Sequence, residues 1–208
     1  MTNQRPQTPR EAWNALKAGN HRFVNETREH PNQDADRRTA IALQQKPFAA
    51  LFGCADSRLS AEIIFDVGLG DLFVVRNAGQ VIAETILGSL EYAVEVLGVP
   101  LIMVLGHDEC GAIRATIDST QGKLQAKGEF IQHIVASIQP TVRAANAKGI
   151  HDIDTVTSLH IEDTINDLVS RSKIIRDAVD AGKLAIVGAN YKLVLGDIHP
   201  LVMVGQVS

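Results

Sequence analysis

Two short stretches hold the side chains with chemical reach: Gly53-Cys54-Ala55-Asp56-Ser57-Arg58 and Gly106-His107-Asp108-Glu109-Cys110-Gly111. The protein has two cysteines, one in each stretch. Thiolate and imidazole are donors that zinc favours, and a catalytic zinc site keeps one tetrahedral position for water or substrate. The His107-x-x-Cys110 spacing predicts two side chains on one face of a first helical turn, with Gly106 and Gly111 permitting tight turns on either side. Cys54 supplies a third ligand from the other stretch. A lone His-x-x-Cys pair arises often by chance; a cysteine at the matching end of a second strand makes it a candidate Zn2+ site. Buried spectator thiols are the alternative.

Asp56 and Arg58 add to this set. On an extended segment Cys54, Asp56 and Arg58 alternate onto one side. A carboxylate two residues from a zinc thiolate serves either as a fourth ligand or as an acceptor for metal-bound water. A guanidinium holding it by a bidentate pair favours the second role. An ordinary Asp–Arg salt bridge in a loop is the competing reading.

The elements that must position these residues follow from hydrophobic patterning. Phe48 to Phe52, Leu72 to Val75, Leu101 to Leu105 and Leu184 to Gly188 are apolar throughout, as expected of strands covered on both faces. A fifth strand is expected at Tyr191 to Leu195, antiparallel at the edge, because its connection to the fourth is short. Between the strands lie helical patterns at residues 60–67, 84–97 and from Gly111 onward. Another helix runs over Phe130 to Ile138, ended or kinked by Pro140, and one long helix is predicted over residues 154–181. Residues 8–24 form an N-terminal helix capped by Thr8 with Glu11 three positions on. Its Trp13 either packs within the chain or lies over a partner subunit. Residues 27–47 are a polar connector. The fold class is α/β: a mostly parallel sheet of four strands plus an antiparallel edge strand, flanked by helices. Residues 1–46 make a helical arm and connector, and residues 47–208 a single α/β domain. Both motif stretches sit at carboxyl ends of strands, where open α/β sheets bind ligands.

Composition narrows the function classes. The chain has 208 residues, 45% hydrophobic content, a formal charge of -4 and a pI near 6.0. Such a balance offers no overall electrostatic reason to bind nucleic acid or an anionic membrane. No run approaches the roughly 18 apolar residues of a membrane span, and Met1 to Pro6 lacks the apolar core of a secretory signal. A cytoplasmic protein is expected, and two cysteines 56 positions apart form neither a disulfide framework nor a CxxC motif. No Walker pattern appears, and Gly68-x-Gly70 lacks the third glycine of a dinucleotide loop. His21, His30, His133, His151, His160 and His199 have no partners at ligand spacing and read as surface or structural residues. Asp108 and Glu109 read as solvated loop charges.

Cys54-x-Asp56-Ser57-Arg58 followed by His107-x-x-Cys110 resembles the signature of the bacterial β-class carbonic anhydrases. The likeness extends through Val74-Val75-Arg76-Asn77-Ala78-Gly79, Gly88-Ser89-Leu90-Glu91-Tyr92-Ala93 and Leu105-Gly106-His107. It covers most of residues 45–111; beyond about residue 120 only the order of elements supports it. The resemblance implies a lyase in which Cys54, His107 and Cys110 bind zinc. It also implies that Asp56, either on the metal or on Arg58, gates the fourth position, and that Gln45 contacts substrate.

The implied reaction is reversible hydration of carbon dioxide to bicarbonate and a proton by zinc-bound hydroxide. If Asp56 turns onto the metal the enzyme is off, so activity should rise with pH. Two thiolates weaken the metal as a Lewis acid, which moves that rise above the pH of a three-histidine site. The resemblance further implies a homodimer or homotetramer with the site near the subunit interface, and Phe65 and Tyr92 as walls of a narrow cleft. Arg76 and Tyr191 match two members of a bicarbonate-binding triad, but Leu51 stands where its tryptophan would be, which argues against strong bicarbonate inhibition. Two other functions fit the residues less fully: a zinc hydrolase of a sulfur analogue of carbon dioxide, and a structural Cys-Asp-His-Cys zinc domain that binds a partner.

Overall fold

A computed structural model describes residues 5–207; the reading of the first four residues as lacking a leader lies outside the described residues. The apolar runs assemble into one five-stranded sheet in the order β2-β1-β3-β4-β5. Strands β1 (Ala49–Cys54), β2 (Leu72–Asn77), β3 (Leu101–His107) and β4 (Ala185–Tyr191) are mutually parallel, and β5 (Ile198–Val204) pairs antiparallel with β4. Every residue of β1, β3 and β4 is buried, as a strand with helices on both faces requires. β2 departs from the expectation of a second buried strand. It lies at the sheet edge, and only Val75 is fully buried.

Side chains alternate between two cores. On one face Ala50, Phe52, Ile102, Val104 and Ile186 pack against α4 (Glu84–Glu95), α7 (Ile153–Arg171) and α8 (Lys173–Asp180). On the other, Leu51, Met103, Leu105 and Val187 meet α1 (Pro9–Val24), α3 (Ala61–Ile64), α5 (Gly111–Thr120) and α6 (Glu129–Ala147). Thr8 and Glu11 form the capping box of α1, and Trp13 is buried against its own chain rather than presented to a partner.

Three expected elements differ. The single helix over residues 154–181 is two helices, because Ser172 leaves the helical region (φ -100°, ψ 113°). Its hydroxyl accepts from the Ile175 amide, capping α8, and donates to Glu91 Oε1, while its backbone N–H closes α7 on the Leu168 carbonyl. Pro140 neither ends nor replaces α6, which runs through it. The bond forfeited is to the carbonyl of Ala136, an exposed residue that water can serve, while Ile138, Val142 and Ala145 keep the helix on the core. The fifth strand starts at Ile198 rather than Tyr191. Residues 192–197 form the hairpin loop, closed by Lys192 N–H on the Asp197 carbonyl at 2.9 Å and Gly196 N–H on the Lys192 carbonyl at 2.7 Å. Val194 and Leu195, apolar in sequence, are exposed at its tip.

The polar connector contains a short helix, α2 (Ala35–Ala40), and two aspartates from the sheet side pin it. Asp66, with a side chain 1% exposed, accepts from Arg22 Nε at 2.6 Å, Glu29 N at 2.9 Å and His30 N at 3.0 Å. Asp71 takes Asn32 Nδ2, Gly68 N and Arg37 Nη2. Burial alone would raise the Asp66 carboxyl, yet the two amides and the guanidinium hold it below its ordinary value. Asp66→Ala is expected to lower unfolding free energy by about 3 kcal/mol, since hydrogen bonds to a charged group are lost and buried donors left bare. A depressed folded pKa contributes stability above the ordinary carboxylate range and loses it as pH falls through the lowered value. Denaturation curves of the two proteins should therefore be well separated at neutral pH and converge in acid.

Candidate metal centre

The two ligand-bearing strands are neighbours. β1 pairs with β3 in register Gly53↔Leu105, so Cys54 and His107 close adjacent parallel strands at the same, carboxyl, end of the sheet. His107 and Cys110 are not on one helical turn, as their spacing had suggested. His107 ends β3, Glu109 turns the chain in the left-handed region (φ 53°), and Cys110 is the N-cap of α5. Gly106 also serves a different purpose from a turn: it lies within β3, where an added Cβ would stand 2.6 Å from Ile161 Cδ1 and 3.3 Å from Gln80 Nε2. The absence of a side chain lets α7 seat on the sheet beside the site. Gly106→Ala should cost about 1–3 kcal/mol by overpacking, measured as a lowered Tm.

Cys54, His107 and Cys110 are all buried, and their Sγ and imidazole donors lie within 4.8 Å of one another. His107 Nδ1 is 2.7 Å from the Asp108 carbonyl, which accepts the Nδ1–H and leaves Nε2 with its lone pair free. Nε2 is buried and meets the geometry of a hydrogen bond with no group among the described residues. A buried, unsatisfied nitrogen facing two sulfurs is costly unless a cation occupies the space between them. The thiols lie 4.0 Å apart and titrate as a pair. The remaining S–H of Cys110 donates to the new thiolate and pulls Cys54 down, while Cys110 is held up by its bond to Cys54, by burial and by the neighbouring negative charge. Two soft sulfurs and one neutral imidazole suit zinc.

Asp56 does not lie on an extended strand with Arg58. Its Oδ1 accepts the Arg58 backbone N–H at 3.0 Å, its carbonyl accepts the Leu59 N–H at 3.0 Å, and the resulting turn brings the guanidinium back onto the carboxylate. Arg58 Nε meets Oδ1 and Nη2 meets Oδ2, each at 2.8 Å. These bonds hold the Asp56 carboxyl far below the usual carboxylate range. Asp56 Oδ2 is 3.8 Å from His107 Nε2, beside the donor triad. Arg76 stiffens the same loop from β2, with Nε on the Cys54 carbonyl at 2.9 Å and Nη2 on the Asp56 carbonyl at 2.6 Å.

Other sequence candidates fall elsewhere. Gln45 is exposed and lines a surface cavity of about 730 Å³ with Leu43, Tyr92 and Val96, to which none of the three metal-site residues contributes. Phe65 is fully buried in the core and Tyr92 is half exposed, its ring 6.0 Å from that of Phe73. Leu51 packs in the core and Tyr191 ends β4. Asp108 is not a solvated loop charge: its Oδ1 accepts the Leu193 N–H at 2.9 Å, anchoring the ligand loop to the hairpin. Gly79 donates its N–H to Cys54 Sγ at 3.4 Å, a contact that strand patterning gave no way to foresee.

Fold and centre together define an open α/β protein with a buried Cys-His-Cys metal centre at the carboxyl ends of two adjacent parallel strands. Residues 49–198 match the model of the family described as carbonic anhydrase, and the chain belongs to that family, in its β class. It is 48% identical over 186 residues to carbonic anhydrase 2 of Mycobacterium tuberculosis, covering 89% of each chain. It is 46% identical over 191 residues to the carbonic anhydrase of Mycolicibacterium smegmatis, covering 92% of each. Among solved structures, a tetrameric β-carbonic anhydrase of Sordaria macrospora superposes with a TM-score of 0.72 at 22% identity, over 80% of this chain and 87% of that one. The Coccomyxa β-carbonic anhydrase, solved with acetazolamide, gives 0.70 at 25% identity, over 81% and 78%.

Proposed function

We propose that the protein is a zinc-dependent carbonic anhydrase, a lyase that reversibly hydrates carbon dioxide to bicarbonate and a proton. The observation that carries this is the buried donor triad with an unpartnered His107 Nε2, beside a carboxylate engaged by Arg58. Zinc held by Cys54, His107 and Cys110 supplies the Lewis acidity that makes water nucleophilic near neutral pH. The chain's own residues do the rest. Asp56 stays ionised and accepts a hydrogen bond at the edge of the triad, which orients the nucleophile. Arg58 keeps that carboxylate aimed and away from the sulfurs.

Asp56 also gates the site. Its depressed pKa means that it does not titrate in the working range, so a pH dependence above neutrality reports competition for the open position rather than protonation of this carboxyl. Hydration activity is expected to climb between pH 6.5 and 9; a flat profile would count against the gate. Stopped-flow hydration with and without a chelator tests the activity itself. Loss on chelation and recovery with zinc are expected, whereas no activity at pH 8.5 in zinc-loaded protein would leave a structural zinc domain. That alternative gains no support from Asp56, which pairs with Arg58, and the relatives' names do not favour hydrolysis of a sulfur analogue.

The working form is a homodimer or homotetramer. Gln45 bears on this reading: if it contacts substrate, as the resemblance implies, it does so at the site of another copy, because within one chain it lies in a cavity apart from the triad. Residues 47–208 are the catalytic unit and residues 1–46 an arm and connector. No helix among the described residues is long and apolar enough to cross a membrane. The need for two reduced thiols suits the cytoplasm. With Leu51 buried in the core and Arg76 engaged with two carbonyls, strong bicarbonate inhibition is not expected.

A further inference from the structure

The loop after β2 takes a backbone path that few sequences tolerate. Gly79 and Gln80 both lie in the left-handed region, at φ 75° and 39°. At Gly79 an added Cβ would stand 2.9 Å from both Ala112 and Ile138, so a side chain is excluded by space as well as by conformation. Gln80 is a non-glycine residue at positive φ, and its side-chain amide makes no hydrogen bond among the described residues although it is 1% exposed. Strain of this kind persists only where the surroundings enforce it. Asn77 ties the ends of the loop, accepting the Val81 N–H at 2.9 Å and donating to the Val81 carbonyl at 2.7 Å. Its centre is held by a residue from a distant element: His160 on α7 places Nε2 2.8 Å from the Gly79 carbonyl.

Gly79 therefore has two engagements. Its carbonyl accepts from His160, and its N–H donates to Cys54 Sγ at 3.4 Å. The two groups belong to successive peptides, so the link is positional. His160 is 5% exposed, and burial keeps its imidazole neutral, consistent with a single Nε2–H donor; Asp163 and Cys54 are the chargeable groups whose fields it feels. Asp163 is itself engaged by the Thr141 hydroxyl at 2.5 Å.

We propose that His160 is a positioning residue of the metal centre, acting through Gly79 to keep a backbone N–H on the Cys54 sulfur. An N–H···S bond withdraws charge from a thiolate, so the clamp weakens Cys54 as a donor to the metal and sharpens the metal's Lewis acidity. This rests on the reading of Cys54 as a zinc ligand under the proposed function, but it does not depend on which reaction the centre performs.

The near-isosteric pair His160→Gln and His160→Met separates the donor from the volume. In cobalt-substituted protein, His160→Met should move the thiolate-to-metal charge-transfer band to lower energy, and zinc affinity should fall about tenfold, the lost orientation of Cys54 outweighing the stronger donation of its sulfur, as for loss of other outer partners of metal ligands. The apparent pKa of the hydration profile should rise. His160→Gln should restore all three toward wild type. A band, an affinity and a profile unchanged in His160→Met would overturn the proposal. So that the test does not hang on the folding of the methionine variant, one measurement uses wild-type protein alone. Loaded with NMR-active cadmium, it should show scalar coupling between the metal and the Gly79 amide proton across the N–H···S bond, and absence of that coupling also overturns the proposal. A wild-type protein that shows the coupling but hydrates no carbon dioxide would refute the proposed reaction and leave the role of His160 intact.

Discussion

Replacing His107 by alanine should abolish zinc retention and reduce carbon dioxide hydration by at least about 10³-fold, because the nucleophile depends on the bound metal. The imidazole is fully buried, its Nε2 has no hydrogen-bond partner among the described residues, and it faces the two sulfurs. Without it the thiol pair offers only two ligands, and a third must come from solvent or Asp56. The affinity of the wild-type site should itself be pH-dependent, because both thiols must give up protons to bind the metal, and it should weaken as pH falls. Metal analysis after dialysis, alongside stopped-flow rates, checks both statements. A variant that kept one zinc per chain and near-normal rates would remove His107 from the centre.

Asp56→Asn should lower kcat by about 10²-fold or more while zinc content stays near one per chain, as expected for loss of a positioned proton acceptor. The amide preserves shape but gives up the charge, and one of its two atoms becomes a donor that cannot accept from Arg58. Arg58→Ala should also impair activity, by a different route: the carboxylate loses both 2.8 Å bonds that hold it and becomes free to turn toward the triad. Its deficit should therefore be largest near neutral pH and shrink in alkali, whereas the Asp56→Asn deficit should persist. Measuring both across pH 6.5 to 9 distinguishes a gate from a simple salt bridge; parallel profiles would show that Asp56 and Arg58 do not act as a gate.

The chemistry of the centre was legible in residue types. Only two cysteines exist, each closes or follows an apolar run, and a histidine stands three residues before one of them. These facts pointed to a metal because soft donors at the ends of adjacent buried strands have few other uses. The α/β class followed for a similar reason, since continuous apolar strands separated by amphipathic segments have few stable arrangements; the order of the strands in the sheet did not follow from it. The errors arose where a local pattern was ambiguous. Tyr191 to Leu195 has strand composition, yet the hairpin loop closes there and leaves Val194 exposed. Residues 154–181 keep helical periodicity across Ser172, but the serine hydroxyl finds Glu91 on α4 and breaks the helix.

Residue types alone fix which atoms are available to the metal, and patterning places Cys54 and His107 at strand ends. How the ligands are held follows from the packing of distant elements. Asp56 rests on Arg58 because a turn, not a strand, follows Cys54. Gly106 is glycine because Ile161 needs its space, and Gly79 is positioned by a histidine 81 residues away. Ligand identity is a property of side-chain chemistry and is written locally. Orientation depends on which distant backbone groups come within hydrogen-bond reach, and only the packing of α7 onto the sheet brings them there.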